Sequence, residues 1–120
     1  MRKTLDPYSY GLEGEEIASK HLQELGFEIL FTRYKTRHGE IDLVAKKDDL
    51  LIFVEVKSRN SPMHMDLLSD SQIKRNCNAA LCFIAENPHY TEYQMRFDFI
   101  SVIDSEIREH IENAWSYEVF

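Results

Sequence analysis

The sequence predicts an α/β domain, a mixed central sheet flanked by helices, in the order helix, three strands, helix, strand. Three observations predict it. Residues 40–58 hold two runs that alternate apolar with charged or apolar side chains around a short polar turn. Stretches with helical spacing lie on either side, at 9–25 and 71–86. The length of 120 residues, 43% of them hydrophobic, fits one compact domain over residues 1–120 with enough apolar material to close a core.

The first helix, 9–25, carries Gly11, Ala18, Leu22 and Leu25 along one stripe, and Gly26 supplies its stop signal. Residues 27–33 read as a strand centred on Ile29, Leu30 and Phe31. Two more strands follow at 40–46 and 51–58. Polar residues at 60–71, with Ser61-Pro62, read as a loop, and the second helix runs over 71–86 to a break at Asn87-Pro88. Residues 95–103 read as the returning strand, and 107–115 as a short terminal helix.

The hairpin concentrates the chemistry. A two-residue turn at Asp48-Asp49 sets Asp42 across from Glu55 and Glu40 across from Lys57. Strand alternation then gathers Glu40, Asp42, Val44, Phe53, Glu55 and Lys57 on one face. The other face, Ile41, Leu43, Ala45, Ile52, Val54 and Val56, is wholly apolar, which favours this register because a one-residue slip would bury charge. Neighbouring carboxylates such as Asp42 and Glu55 must raise a pKa, find cations or bind a metal. An oxygen-rich pair suits Mg²⁺, and Lys57, two residues past Glu55, is placed to orient water or stabilise charge on a phosphate. The alternative is a salt-bridged, solvated face.

Glu15 shares the stripe of Gly11, Ala18 and Leu22, where a carboxylate is rarely left unpaired. It is expected either as a third acidic group of the metal site, or as an exposed edge position or the partner of an arginine such as Arg96. Arg33, Lys35 and Arg37 alternate just ahead of the carboxylate strand, either to hold phosphates or to protect a solvated strand edge. Arg59, Lys74 and Arg75 extend the same patch. The five histidines show no metal-ligand spacing, and His38, beside Gly39, reads as a turn residue.

Composition bounds the function classes. No apolar run approaches the roughly 20 residues of a membrane helix, and the start, Met1-Arg2-Lys3-Thr4-Leu5-Asp6-Pro7, lacks the apolar stretch of a secretory signal. Cys77 and Cys82 read as free thiols of a reducing cytosol, so a cytoplasmic protein with no membrane association is expected. The net charge of -7 opposes nucleic acid at long range, but residues 86–120 hold eight acidic and two basic side chains. The preceding 85 residues are nearly balanced, thirteen acidic against twelve basic. The acidic C-terminal segment favours a protein partner.

Gly11-Leu12-Glu13-Gly14-Glu15, Gly39-Glu40-Ile41-Asp42-Leu43 and Phe53-Val54-Glu55-Val56-Lys57-Ser58-Arg59 together resemble the YraN family, small bacterial proteins described as endonuclease-like. Gln72, Arg96-Phe97-Asp98 and Asn113-Ala114-Trp115 match further, so the resemblance covers nearly the whole chain. It departs at Ser71, where the family usually has Lys, and in the preceding loop, which lacks the family's usual glycine. The resemblance implies a restriction-endonuclease-like αβββαβ core related to archaeal Holliday-junction resolvases. It implies a Mg²⁺- or Mn²⁺-dependent nuclease acting on DNA, branched DNA included. Asp42, Glu55, the Val56 carbonyl and Glu15 would then hold the metal, Lys57 would serve the attacking water, and Gln72 would be the polar group of the second helix. Arg33, Lys35, Arg37, Arg59 and Lys74 are the expected nucleic-acid contacts. A homodimer is expected where both strands are cut. The rival expectation is a non-catalytic nucleic-acid or protein adaptor that keeps the nuclease fold.

Overall fold

The computed structural model describes residues 7–59 and 68–116, with side chains from Gly11 onward. Its elements are α1 (Pro7–Glu24), β1 (Glu28–Thr36), β2 (Gly39–Lys47), β3 (Leu50–Arg59), α2 (Asp70–Glu86), a 3-10 turn (Pro88–Tyr90), β4 (Gln94–Ile103) and β5 (Glu106–Trp115). One five-stranded sheet runs β1-β2-β3-β4-β5. Tight turns make every pair antiparallel except β3 and β4, whose parallel pairing needs the α2 crossover. Most of the loop expected at 60–71 lies outside the described residues.

Each face of the sheet is covered by one helix. Ala18 and Leu22 of α1 pack on Leu43, Ala45, Ile52, Val54, Ile100 and Val102. Cys77, Ala79, Ala80 and Phe83 of α2 pack on Val44, Leu51, Phe53, Phe97 and Phe99. Leu25, expected on the α1 stripe, is instead 44% exposed, because the helix ends at Glu24 and the chain turns through Gly26 at φ +98°. The 3-10 turn occupies the break expected at Asn87-Pro88. The second helix starts one residue earlier than the apolar spacing suggests. Ser69 and Gln72 form a reciprocal capping box that satisfies orphan amides at its N-terminus.

Gly14 sets how closely α1 approaches the sheet. A Cβ there would lie 2.6 Å from the Ser58 Cβ and 2.9 Å from its Oγ. Gly14→Ala should therefore destabilise the protein by about 1–3 kcal/mol despite alanine's better helix propensity. Ser58→Gly in the same chain should recover most of that loss in urea unfolding, and additive losses would rule out the contact as the cause.

Two expectations are corrected. Residues 107–115 form strand β5, not a helix. Asp104 and Ser105 both take positive φ, 49° and 65°, a two-residue turn that folds the chain back onto β4. Register shifts between Phe97 and Phe99, and between Ser101 and Val102, disturb the two-residue period and leave Ile107, Ile111 and Ala114 at a helix-like spacing. Ile41, expected beside Leu43, packs with Val44 and Phe53 on the α2 side. The β2–β3 ladder follows the expected register from Lys47↔Leu50 to Leu43↔Val54, and strict alternation fails beyond that last pair.

Between α1 and the β4–β5 edge lies a buried polar network. Asp98, fully buried, accepts from Arg96 Nε and Nη2, both at 2.8 Å, from His110 Nε2 at 2.8 Å and from the Asn113 amide at 3.1 Å. His110 Nδ1 then lies 3.0 Å from Nε2 of His21 on α1.

Candidate active site

The site begins where the hairpin ladder ends. Past Leu43↔Val54 the Asp42 carboxylate turns to β3, and its Oδ2 accepts the Val56 amide at 2.8 Å. Within a strand residue the N–H and C=O point to the same side, so the Val56 carbonyl also faces the Asp42 side. The Asp42 and Glu55 carboxyls lie close enough to shift each other's protonation. Burial pushes the Asp42 carboxyl up to about 8, and the Glu55 charge adds to it, outweighing the Val56 amide. Burial likewise raises Glu55, against the lowering effects of Lys57, Asp42 and Asn76. The two carboxyls thus hold a proton between them near neutrality. Lys57 Nζ stands 3.8 Å from Glu55 Oε1, with both side chains largely covered.

Glu15 reaches the same region from α1. The close approach at Gly14 and Ser58 brings this part of the helix against the end of β3. Burial and the Asp42 charge raise the Glu15 carboxyl above its ordinary value, against the Arg33 guanidinium. Its partner is therefore Arg33, not Arg96: Nε donates to Oε1 at 2.9 Å and Nη2 to Oε2 at 3.1 Å. Arg33 Nη1 also lies 3.7 Å from Glu40. A positive φ of 51° at Arg33 breaks the simple alternation assumed for Arg33, Lys35 and Arg37.

The remaining candidates are placed as follows. Gln72 is committed to the helix cap, its Oε1 accepting the Ser69 amide at 3.0 Å. It also borders a cleft of about 180 Å³ with His38, Gly39, Glu40, Glu55, Arg75 and Asn76. Lys35 is exposed on β1 opposite Glu40, Arg37 sits in the β1–β2 turn, and Lys74 is exposed on α2. Arg59 caps the end of β3, donating to the Ser58 carbonyl at 2.9 Å. His38 lies in the turn, as expected, with its amide on Thr36 Oγ1 at 3.1 Å. Sequence reasoning missed Asn76, which borders the same cleft from α2 and lowers the Glu55 carboxyl.

Among the described residues no three His, Cys, Asp or Glu side chains form a ready metal cage. Two carboxylates and a neighbouring carbonyl still fit a hard divalent cation that retains several waters. The observation behind that fit is the donor set itself: two half-buried carboxyls crowd each other beside the Val56 backbone, where a cation would balance both charges.

The family model described as "Uncharacterised protein family UPF0102" matches residues 14–102. A UPF0102 protein of Mesorhizobium japonicum is 38% identical over 109 residues, covering 90% of this chain and 87% of its own. One from Azorhizobium caulinodans is 38% identical over 118 residues, covering 98% and 90%. A more divergent one from Sulfurihydrogenibium is 32% identical over 117 residues, covering 95% and 100%.

Proposed function

The chain belongs to the uncharacterised protein family UPF0102, the family of the YraN resemblance, and from that premise we propose that it is a metal-dependent nuclease hydrolysing phosphodiester bonds in DNA. The observation that carries this reading is the half-buried Asp42–Glu55 pair, with Lys57 beside it, at the parted end of the hairpin. A structural role alone gives no reason to crowd two half-buried carboxyls together.

Asp42, Glu55 and the Val56 carbonyl would hold Mg²⁺ or Mn²⁺. When bound, the ion supplies Lewis acidity toward phosphate and water. Asp42 and Glu55 would hold the ion as carboxylates, their shared proton passing to solvent. Lys57, held near Glu55, donates to a phosphate oxygen or to the water that attacks it. Glu15 lends its charge from α1 while Arg33 holds its oxygens, so it acts on the cation through space or through water. Branched DNA is included as a substrate on the strength of the family's implied relation to junction resolvases.

A non-catalytic adaptor is the second reading, and it is favoured by the exposed Glu106, Glu109 and Glu112 along the edge strand β5. A cleavage screen over linear, flapped and four-way DNA with Mg²⁺ and Mn²⁺ separates the two. Asp42→Ala should abolish cutting. Lys57→Ala should slow it by about 10²-fold or more while leaving DNA affinity within a few-fold. Cutting that survives Asp42→Ala unchanged would exclude this site.

A further inference from the structure

Helix α2 presents two amide side chains to the carboxylate cleft, Gln72 and, one turn on, Asn76. Their roles differ. The Gln72 oxygen is taken by the Ser69 amide in the capping box, so this residue starts the helix. Asn76 lines the same cleft as Glu55, and its side chain lowers the Glu55 carboxyl. A carboxylate only accepts, so the Asn76 amide donates.

We propose that Asn76 is the positioning residue of Glu55, and that it fixes the carboxylate in the posture in which a divalent cation is taken up with Asp42. Three of the groups around Glu55 can steady its carboxylate, each from a different direction. Lys57 lies along the same strand at 3.8 Å, Asp42 lies across the hairpin, and Asn76 is the one that comes from α2. Lys57 is flexible and too distant for a hydrogen bond. Asp42 would itself hold the cation. Asn76 sits on a capped helix between Ile73 and Cys77, both packed in the α2-side core. It is therefore the rigid member of the set. Being neutral, it orients the carboxylate without competing for the cation, as outer hydrogen-bond partners of metal-bound carboxylates do.

The consequence for DNA cleavage rests on the nuclease reading, whereas the consequence for cation affinity does not. The test compares two variants of the full chain. Asn76→Leu removes the donor at similar volume, and Asn76→Gln keeps it on a longer arm. Titration calorimetry with Mn²⁺ at fixed pH should show Asn76→Leu about tenfold or more weaker than wild type. Asn76→Gln should stay within a few-fold, and the metal-free melting temperature of Asn76→Leu should not fall. If Asn76→Leu fails to fold, Asn76→Ala takes its place. Equal Mn²⁺ affinity in wild type and the donor-free variant overturns the proposal. So does an equal loss in both variants, which would follow shape and not the donor, and so does a wild type that binds no Mn²⁺. A wild type that shows the predicted Mn²⁺ pattern but cuts no DNA would remove the nuclease reading and leave Asn76 in its role.

Discussion

Asp98→Ala is expected to destabilise the protein by about 3–5 kcal/mol, enough to threaten the fold of a domain this size. Asp98 is fully buried and accepts four hydrogen bonds, from Arg96 twice, His110 and the Asn113 amide. Burial alone would raise its pKa, but these donors together hold the carboxyl below the ordinary range. Alanine would leave Arg96 Nε and Nη2, a covered imidazole N–H and a bulge amide without an acceptor, and Arg96 would keep only its Nη1 ion pair with the exposed Glu112. Asn113 has φ 52° and sits where three β5 residues oppose one on β4, so the carboxylate also holds this irregular edge together. The damage should spread to α1, because only an Nε2-protonated His110 can donate to Asp98 while its Nδ1 faces His21. The pH dependence has a defined sign. The depressed Asp98 carboxyl contributes stability above about pH 4, lost as pH falls through its folded value. Burial, then the neighbouring His110, lowers His21, so its contribution is present above about pH 6.5 and is lost on acidification through its own folded value. Urea unfolding of wild type and Asp98→Ala from pH 7.5 to 3 measures both. A loss under about 1 kcal/mol at pH 7.5 would mean that the network is not what secures β5.

The contrast between this network and the carboxylate site shows what the sequence makes legible. Asp42 and Glu55 stand out because each interrupts a strand of Val, Ile, Leu and Phe. Asp48-Asp49 sets a register that the apolar face of Leu43, Ala45, Ile52 and Val54 independently requires. Local pattern and tertiary demand agree there. Ile41 lies on the other face, where β2 has left the β3 ladder and stays paired only with β1, through Tyr34↔Ile41. β5 was hidden by its own bulges and by a turn, Asp104-Ser105, that takes positive φ without glycine. Glu15 could be seen to need a partner, but the choice of Arg33 over Arg96 depends on how α1 lies on β1, which no local spacing encodes. Asn76 gave no signal. Asparagine inside a helix is unremarkable until the α2 crossover sets it over Glu55. The Ser69-Gln72 capping signature was present in the sequence and marks the helix start better than apolar periodicity did.

Asp42→Asn should abolish DNA cleavage, a loss of about 10³-fold or more, while making the metal-free protein more stable. Asparagine keeps an oxygen to accept the Val56 amide, so the end of the hairpin retains its 2.8 Å contact. What it removes is the charge. In the folded protein burial and the Glu55 charge push the Asp42 carboxyl from an ordinary 3.8 up to about 8. Between those values the folded chain holds a proton that the unfolded chain has shed. Unfolding therefore releases protons, and wild-type stability falls as pH rises across that window. The substituted amide has no proton to lose, so the variant's advantage should be small near pH 4, grow through neutrality and level off above about pH 8. Because the proton is shared with Glu55, a gain of about 2 kcal/mol at pH 8 is expected, or roughly 5–10 °C in melting temperature. A divalent cation should reverse the order. Mn²⁺ would neutralise the wild-type pair and raise its melting temperature by mass action, but should do little for the variant. DNA affinity should rise in Asp42→Asn, since a phosphate then meets one negative charge fewer. Calorimetric melts at pH 5 and pH 8, with and without Mn²⁺, together with fluorescence anisotropy on labelled duplex and four-way DNA, test all of this in one protein pair. If Asp42→Asn melts below wild type at pH 8 without metal, the carboxyls are not in electrostatic conflict. Unchanged cleavage and DNA affinity in the same variant would pass the lead to the adaptor.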